Sequence, residues 1–211
     1  MHWSTPFARC GRAPTEDTVR YVYNAAHPSP HGSSTAPAPA PEAPQATPEQ
    51  FRAALGQLAS GVVLLTAHDP EDGPRGEDVG MTATAFLSVS LEPPLVMVSV
   101  REDSRMEDVL SRVDHWAVSV LAADQRTAAA RFAMKGRVSD RLLFADLPHH
   151  RGEASAAPLV DGALATVECR TEQRISAGDH VLLIGRVLTA RVSGPEQGPL
   201  VYFRGQYRQL G

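Results

Sequence analysis

Between Gly80 and Pro94 the chain reads Gly-Met-Thr-Ala-Thr-Ala-Phe-Leu-Ser-Val-Ser-Leu-Glu-Pro-Pro, and this stretch limits the folds open to everything around it. Met81, Ala83, Ala85, Leu87, Val89 and Leu91 alternate with Thr82, Thr84, Phe86, Ser88 and Ser90, which is the two-residue period of an extended chain. Its first half is built of small residues, and Thr82, Thr84 and Ser88 carry hydroxyls close to the backbone. A flat ligand can come near such a strand. Pro93 and Pro94 then end it.

The flanking segments read as short elements. Thr47-Pro48-Glu49-Gln50 predicts a capped helix start, with Pro48 in the first helical place and Gln50 closing a capping box. Phe51, Ala54, Leu55 and Leu58 follow at helical spacing, and Gly61 is expected to end the helix. Val62 to Ala67 is an apolar run suited to a buried strand, and the polar segment from Asp69 to Asp78 predicts a hairpin into the small-residue strand.

Further on, Leu95 to Val100 is β-rich, and Ser104 with Glu107 predicts a second capping box for a helix that buries Val109, Leu110 and Val113. Trp116 to Leu121 reads as a strand and Asp124 to Phe132 as a short helix. Gly136 to Pro158 reads as loop with an apolar patch at Leu142, Leu143 and Phe144. Ala163 to Ile175 is a long strand, Gly178 turns the chain, and His180 to Val192 is its partner. Turns at Gly194-Pro195 and Gly198-Pro199 precede Leu200 to Phe203. Six or seven strands joined mostly by hairpins, with three helices that do not alternate with them, predict a mainly β fold with flanking helices: an antiparallel barrel rather than a doubly wound sheet. No Gly-x-Gly-x-x-Gly follows a strand, so the dinucleotide-binding βαβ fingerprint is absent.

Composition narrows the rest. Met1 to Ala46 reads as an Ala- and Pro-rich leader that cannot bury enough apolar surface to offset its ordering, and it is expected to be disordered; residues 47–211 form the domain. Val19 to Tyr23 is the one segment of the leader that could pair with a sheet edge. The net charge of −4, with scattered basic residues, gives no nucleic-acid surface and no polybasic membrane patch. Cys10 and Cys169 make neither a disulfide framework nor a metal-ligand spacing, and His149-His150 has no third ligand beside it, so no metal site is expected. Without a membrane-length apolar run or a secretory signal, the expected location is the cytoplasm.

Five segments carry a resemblance, in order and at fitting spacing: Gly80 to Phe86; Ser88 to Val96; Phe132-Ala133; Gly178-Asp179-His180 with Ile184-Gly185-Arg186-Val187; and Pro199-Leu200-Val201-Tyr202. From about Phe51 to Leu210 the chain resembles the flavin reductase family with the FMN-binding split-barrel fold, the reductase components of two-component flavin-dependent monooxygenases. The resemblance implies an antiparallel split β-barrel and a flavin, FMN or FAD, lying against Met81, Thr82, Ala83, Thr84, Ala85, Ser88 and Ser90. It also implies contacts from Phe132 and Ala133. The flavin phosphate would lie by Ser104, Arg101 and Arg105, where helix N-terminus and guanidinium groups converge.

His180 would position the nicotinamide of NADH or NADPH, with no strong acid or base required because the cofactors carry the hydride chemistry. A homodimer and a monooxygenase that receives reduced flavin are the implied partners. Two departures from the family pattern stand out: Met134 where glycine is common, and Thr84 where serine or asparagine is common. Two other readings remain open at this stage. One is a flavin- or haem-binding split barrel acting as sensor or carrier, and the other is a pyridoxamine-phosphate oxidase-like enzyme, which would need a richer cluster of phosphate-binding Arg and Lys.

Overall fold

The computed structural model describes residues 45–134, 136, 139–193 and 197–210. The leader up to Pro44, with its Val19 to Tyr23 segment, lies outside the described residues, as does the Gly194-Pro195 turn. Helix α1 (Pro48–Leu55) starts as its capping box dictates: Gln50 N donates to Thr47 Oγ1 at 3.2 Å and Thr47 N donates to Gln50 Oε1 at 2.9 Å. It stops six residues before the expected Gly61, which lies instead in strand β1 (Ser60–Gly61). None of its residues is buried. Phe51 is 60% and Leu55 48% exposed, and Leu58 beyond the helix is 62% exposed, because no other part of the described chain covers this stripe.

Strand β2 (Val63–Asp69) is buried on both faces, as its continuous apolar run requires. It forms a hairpin with β3 (Glu77–Ala83). The stretch expected to be one strand from Gly80 to Leu91 then breaks. Thr84 and Ala85 are exposed and leave the ladder of β3, and a second strand, β4 (Phe86–Leu91), begins just after them. A tight turn at Glu92 and Pro93 joins β4 to β5 (Pro94–Arg101), which runs into helix α2 (Arg105–Leu110).

Strand β6 (His115–Val120) is followed by a 3-10 turn (Ala123–Gln125) and helix α3 (Arg126–Phe132). The segment expected to be loop contains helix α4 (Asp140–Ala145) and a small hairpin of β7 (His149–Arg151) with β8 (Pro158–Val160). The Leu142-Leu143-Phe144 patch is the reason: coiling it into a helix turns Phe144 into the core. The long strands β9 (Ala165–Ala177) and β10 (His180–Val192) pair along their whole length. The chain closes with β11 (Leu200–Phe203) and β12 (Gln206–Gln209).

The main sheet has seven antiparallel strands in the order β3-β2-β6-β9-β10-β5-β4. Its two edges are β3 and β4, yet only Thr84 and Ala85 separate them in the chain. Three Cα steps reach about 11 Å at most, whereas six strand spacings in a flat sheet would hold the edges about 29 Å apart. The sheet must therefore curl until its edges meet at Thr84 and Ala85. No ladder joins β3 to β4, so the barrel is split along that seam and the sheet stays open.

Two cores fill the curve. One packs Val63, Leu65, Val98, Val100, Met106, Val109, Leu110, Val118 and Leu183 around Trp116, whose indole N–H donates to Thr171 Oγ1 at 3.0 Å. Gly185 is required there, since a Cβ would come within 2.3 Å of the Trp116 ring. The other core packs Leu64, Leu121, Phe132, Phe144, Val160 and Leu200 on the opposite face of β2. Buried Glu168 ties the 152–157 loop to this frame, accepting hydrogen bonds from Ala154 N, Ser155 N and Ser155 Oγ on one oxygen and from Thr189 Oγ1 on the other. Burial alone would raise its pKa, but the donors from Ser155, Thr189 and Ala154 outweigh it and hold the carboxyl below its ordinary value. Cys169 beside it is inert, its thiol pushed up to about 12 chiefly by burial.

Candidate functional site

A groove of about 510 Å³ opens beside the seam of the barrel. Met81 and Thr82 from β3, Met106 from α2, and Phe132, Ala133 and Met134 from the end of α3 line its apolar part. Arg101, Asp103, Ser104, Arg105, Gly136 and Asp140 line its polar part. Gly80 makes the packing under the floor possible: a Cβ there would sit 2.6 Å from the Phe132 ring and 2.9 Å from Phe144. The volume lies within the roughly 300–1,000 Å³ of small-molecule sites, and apolar walls with a few polar groups at one end suit a flat ring bearing an anionic tail. The residues present thus fit a flavin.

Seven of the residues singled out in the sequence meet in this groove: Met81, Thr82, Arg101, Ser104, Arg105, Phe132 and Ala133. Ala83 is buried at the end of β3, and Thr84 and Ala85 stand exposed at the seam, where Ala85 O accepts from Ser99 N. Ser88 and Ser90 are not brought to it. They pair opposite Val96 and Leu95, so Ser90 faces a residue six positions along β5 from Arg101, about 20 Å away. The break at Thr84 and Ala85 causes this, because it carries β4 to the opposite edge of the sheet from β3.

Three polar groups are already engaged within the fold. The Thr82 hydroxyl, read from the sequence as available to a ligand, donates to Ala129 O at 2.7 Å and ties β3 to α3. Ser104 Oγ accepts from Glu107 N at 3.1 Å and donates to Arg101 O at 2.7 Å. The reciprocal half of its expected capping box is missing because the Glu107 carboxylate turns to Arg174. Arg105, expected at a phosphate, meets Glu77 at 2.7 Å, Asp72 at 3.3 Å and Asp140 at 3.8 Å instead. Burial weighs against its charge, but Glu77, Asp140 and Asp72 hold its pKa above the ordinary value. Arg105 therefore acts as a strut between the β2–β3 hairpin and α4, with its charge compensated.

Arg101 is the less heavily paired cation. Its guanidinium makes a bidentate pair with Asp103 at 3.0 and 2.8 Å, and the side chain remains 43% exposed. Opposite Arg101 in the ladder stands His180, and Glu102 N donates to Asp179 O at 3.1 Å, so the β9–β10 turn borders the polar end of the groove. His180 Nδ1 lies 2.7 Å from Asp179 Oδ1. A carboxylate can only accept there, so the ring donates through Nδ1, and Nε2 is not used in that bond. That bond from His180 also lowers the pKa of Asp179.

Met106, Met134, Gly136, Asp140 and Asp103 were not singled out as ligand contacts in the sequence. Only the Met134 departure marked this part of the chain, and Lys135 between Met134 and Gly136 lies outside the described residues. The two histidines of the 149–150 pair sit on β7, where His149 Nδ1 meets Leu147 O and His150 Nδ1 meets Asp161. Among the described residues no group of His, Cys, Asp and Glu is arranged to hold a metal ion, and no helix is long and apolar enough to cross a membrane.

Comparison with known proteins bears on what this groove holds. A family described as the flavin reductase like domain matches residues 55–211. An NADH-dependent flavin reductase of a Rhodococcus species is 38% identical over 169 residues, covering 79% of this chain and 89% of the relative. The reductase component of 4-hydroxyphenylacetate 3-monooxygenase from Thermus thermophilus is 38% identical over 162 residues, covering 77% of this chain and 96% of the relative. Among solved structures, BorF, the flavin reductase component of a bacterial two-component tryptophan halogenase, superposes with a TM-score of 0.69 at 39% identity, covering 77% of this chain and 97% of that one. Agreement of this extent, running from the end of α1 through β12, makes the chain a member of the flavin reductase like domain family.

Proposed function

We propose that this chain is an NADH-dependent flavin reductase that reduces FMN or FAD and releases it to a separate monooxygenase. The observation that carries this reading is the groove itself, an apolar trough at the barrel seam with Arg101 and Ser104 at one end and His180 one strand away. Bound flavin supplies the ring that accepts a hydride from the reduced nicotinamide. Met81, Met106, Phe132 and Ala133 supply the apolar wall, and Arg101 with Ser104 receives the phosphate. His180, oriented through Asp179, presents Nε2 to the nicotinamide amide. The groove is open, so solvent provides the proton that accompanies the hydride, and the protein's contribution is distance and stacking order. A reductase drawing on NADH works where that nucleotide is kept, in the cytoplasm.

Sustained turnover tests this. Under anaerobic conditions a trace of the protein with excess NADH should bleach many equivalents of FMN or FAD. On admission of air NADH oxidation should continue as released flavin reoxidises. Chemistry that halts after one equivalent per chain would establish a carrier instead.

The homodimer belongs to the same proposal. Its support is the uncovered stripe of Phe51, Leu55 and Leu58 along α1, together with Leu87, Val89 and Leu91 on the edge strand β4, the last of them 88% exposed. Exposed apolar side chains grouped in this way on a helix and on an edge strand are normally covered by a partner. Sedimentation equilibrium should give twice the chain mass of 22.6 kDa, and a monomer at micromolar concentration would refute the reading.

A further inference from the structure

Three of the five methionines of this chain, Met81, Met106 and Met134, line the flavin groove. Their thioethers differ in access. Met106 is buried, Met81 is half-buried against the core, and Met134 is 59% exposed just beyond the end of α3. Met134 also lines a second recess, of about 470 Å³, between α3 and the β11–β12 hairpin, so it stands on the rim between two hollows. Glycine is common at this position in the family, and the reaction as proposed gives the Met134 side chain no task.

Oxidation turns a flexible apolar thioether into a polar sulfoxide. When reduced flavin meets air, two electrons and two protons pass from it to O2, which leaves oxidised flavin and hydrogen peroxide. Resting on the reading of the groove as a flavin reductase site, we propose that Met134 is a modification site, oxidised to the sulfoxide by peroxide formed where reduced flavin leaves the groove. The sulfur attacks one peroxide oxygen, and an S–O bond forms as the O–O bond breaks. Sulfur gives up two electrons, and the other oxygen takes the proton of the transferred one and departs as water. The product sets a polar group beside the apolar wall of Met81, Phe132 and Ala133, so flavin binds less well. Flavin reduced faster than an oxygenase consumes it thereby lowers the affinity of the reductase for more flavin, and methionine sulfoxide reductases restore it.

The test runs the unaltered chain in air with FMN and excess NADH and reads sulfoxide at each methionine by peptide mass spectrometry. Met134 should gain one oxygen ahead of Met81 and Met97, and buried Met106 should stay unmodified. FMN should then bind about tenfold more weakly by fluorescence titration, the usual loss when a polar group meets an apolar surface without a partner. Treatment with the reductases of both sulfoxide epimers should reverse that loss. Met134→Leu should bind FMN equally well before and after turnover in air. Val192→Met separates peroxide made at the groove from peroxide in bulk solution. Position 192 is 76% exposed, more than Met134, and lies at the far end of β10 from His180, about 40 Å along the strand. Oxidation at the groove predicts sulfoxide at 134 ahead of 192. The reverse order, or no sulfoxide at 134 after sustained turnover, would overturn the proposal while leaving the reductase reading intact. Failure of the unaltered chain to reduce flavin anaerobically would instead remove the reading on which it rests.

Discussion

The Arg101→Ala variant is expected to bind FMN about tenfold more weakly and riboflavin with unchanged affinity, because a charge-assisted bond to phosphate contributes about 1.5–3 kcal/mol and Arg101 is exposed enough to lose part of that to solvent. Asp103→Ala should act with the opposite sign. Asp103 holds both the Nε and Nη2 of Arg101, so an arriving phosphate must share or displace that carboxylate. Removing it frees the guanidinium and takes a negative charge from the polar end of the groove, where Asp72, Glu77 and Asp140 already surround Arg105. Since an exposed ion pair is worth at most about 1 kcal/mol, FMN affinity should rise by no more than about fivefold. Titration of flavin fluorescence with FMN and riboflavin in parallel decides the matter. Equal losses for the two ligands in Arg101→Ala would mean that Arg101 supports the fold or the ring, not the phosphate.

Gly80→Ala should cost the fold and the groove together through one added methyl group. The new Cβ would stand 2.6 Å from Cε1 of Phe132 and 2.9 Å from Cζ of Phe144, two buried rings that pack 5.0 Å apart, so neither can swing away without moving the other. Overpacking of this kind costs about 3 kcal/mol at the upper end of its usual range, which for a domain of this size lowers the melting temperature by about 10 °C. Phe132 also lines the groove, so flavin affinity should fall together with stability. A control at Gly73, where a Cβ meets nothing, should leave flavin affinity unchanged. A Gly80→Ala protein with native melting temperature and native flavin affinity would show that the floor is not built on this contact.

Much of this fold was legible in the chain because its signals are local. The capped start of α1, the apolar run of β2, the end of β4 near Pro93 and the long β9–β10 pair each follow from a few neighbouring residues, and each is found where those residues place it. The family resemblance was likewise carried by residues close in sequence, and the comparisons bear it out.

What local pattern cannot carry is which edge of a sheet a strand joins. The alternation from Gly80 to Leu91 is the same whether the stretch is one strand or two, and its two-residue period persists across the break. Closing the barrel breaks it, since seven strands curl until β3 and β4 meet, and Ser88 and Ser90 are carried away from the groove that Met81 and Thr82 line. Charge pairing is equally non-local. Arg105 and Asp72 are separated by 33 positions, and Glu77 and Asp140 reach the same guanidinium from two other elements, so a cation that reads as a phosphate ligand beside Ser104 becomes a strut in three dimensions. The sequence by itself determined the locally signalled elements, the family and the residue types available to a flavin. Only the tertiary structure decided which of those residues face one another, because that depends on barrel closure and on carboxylates brought in from distant segments.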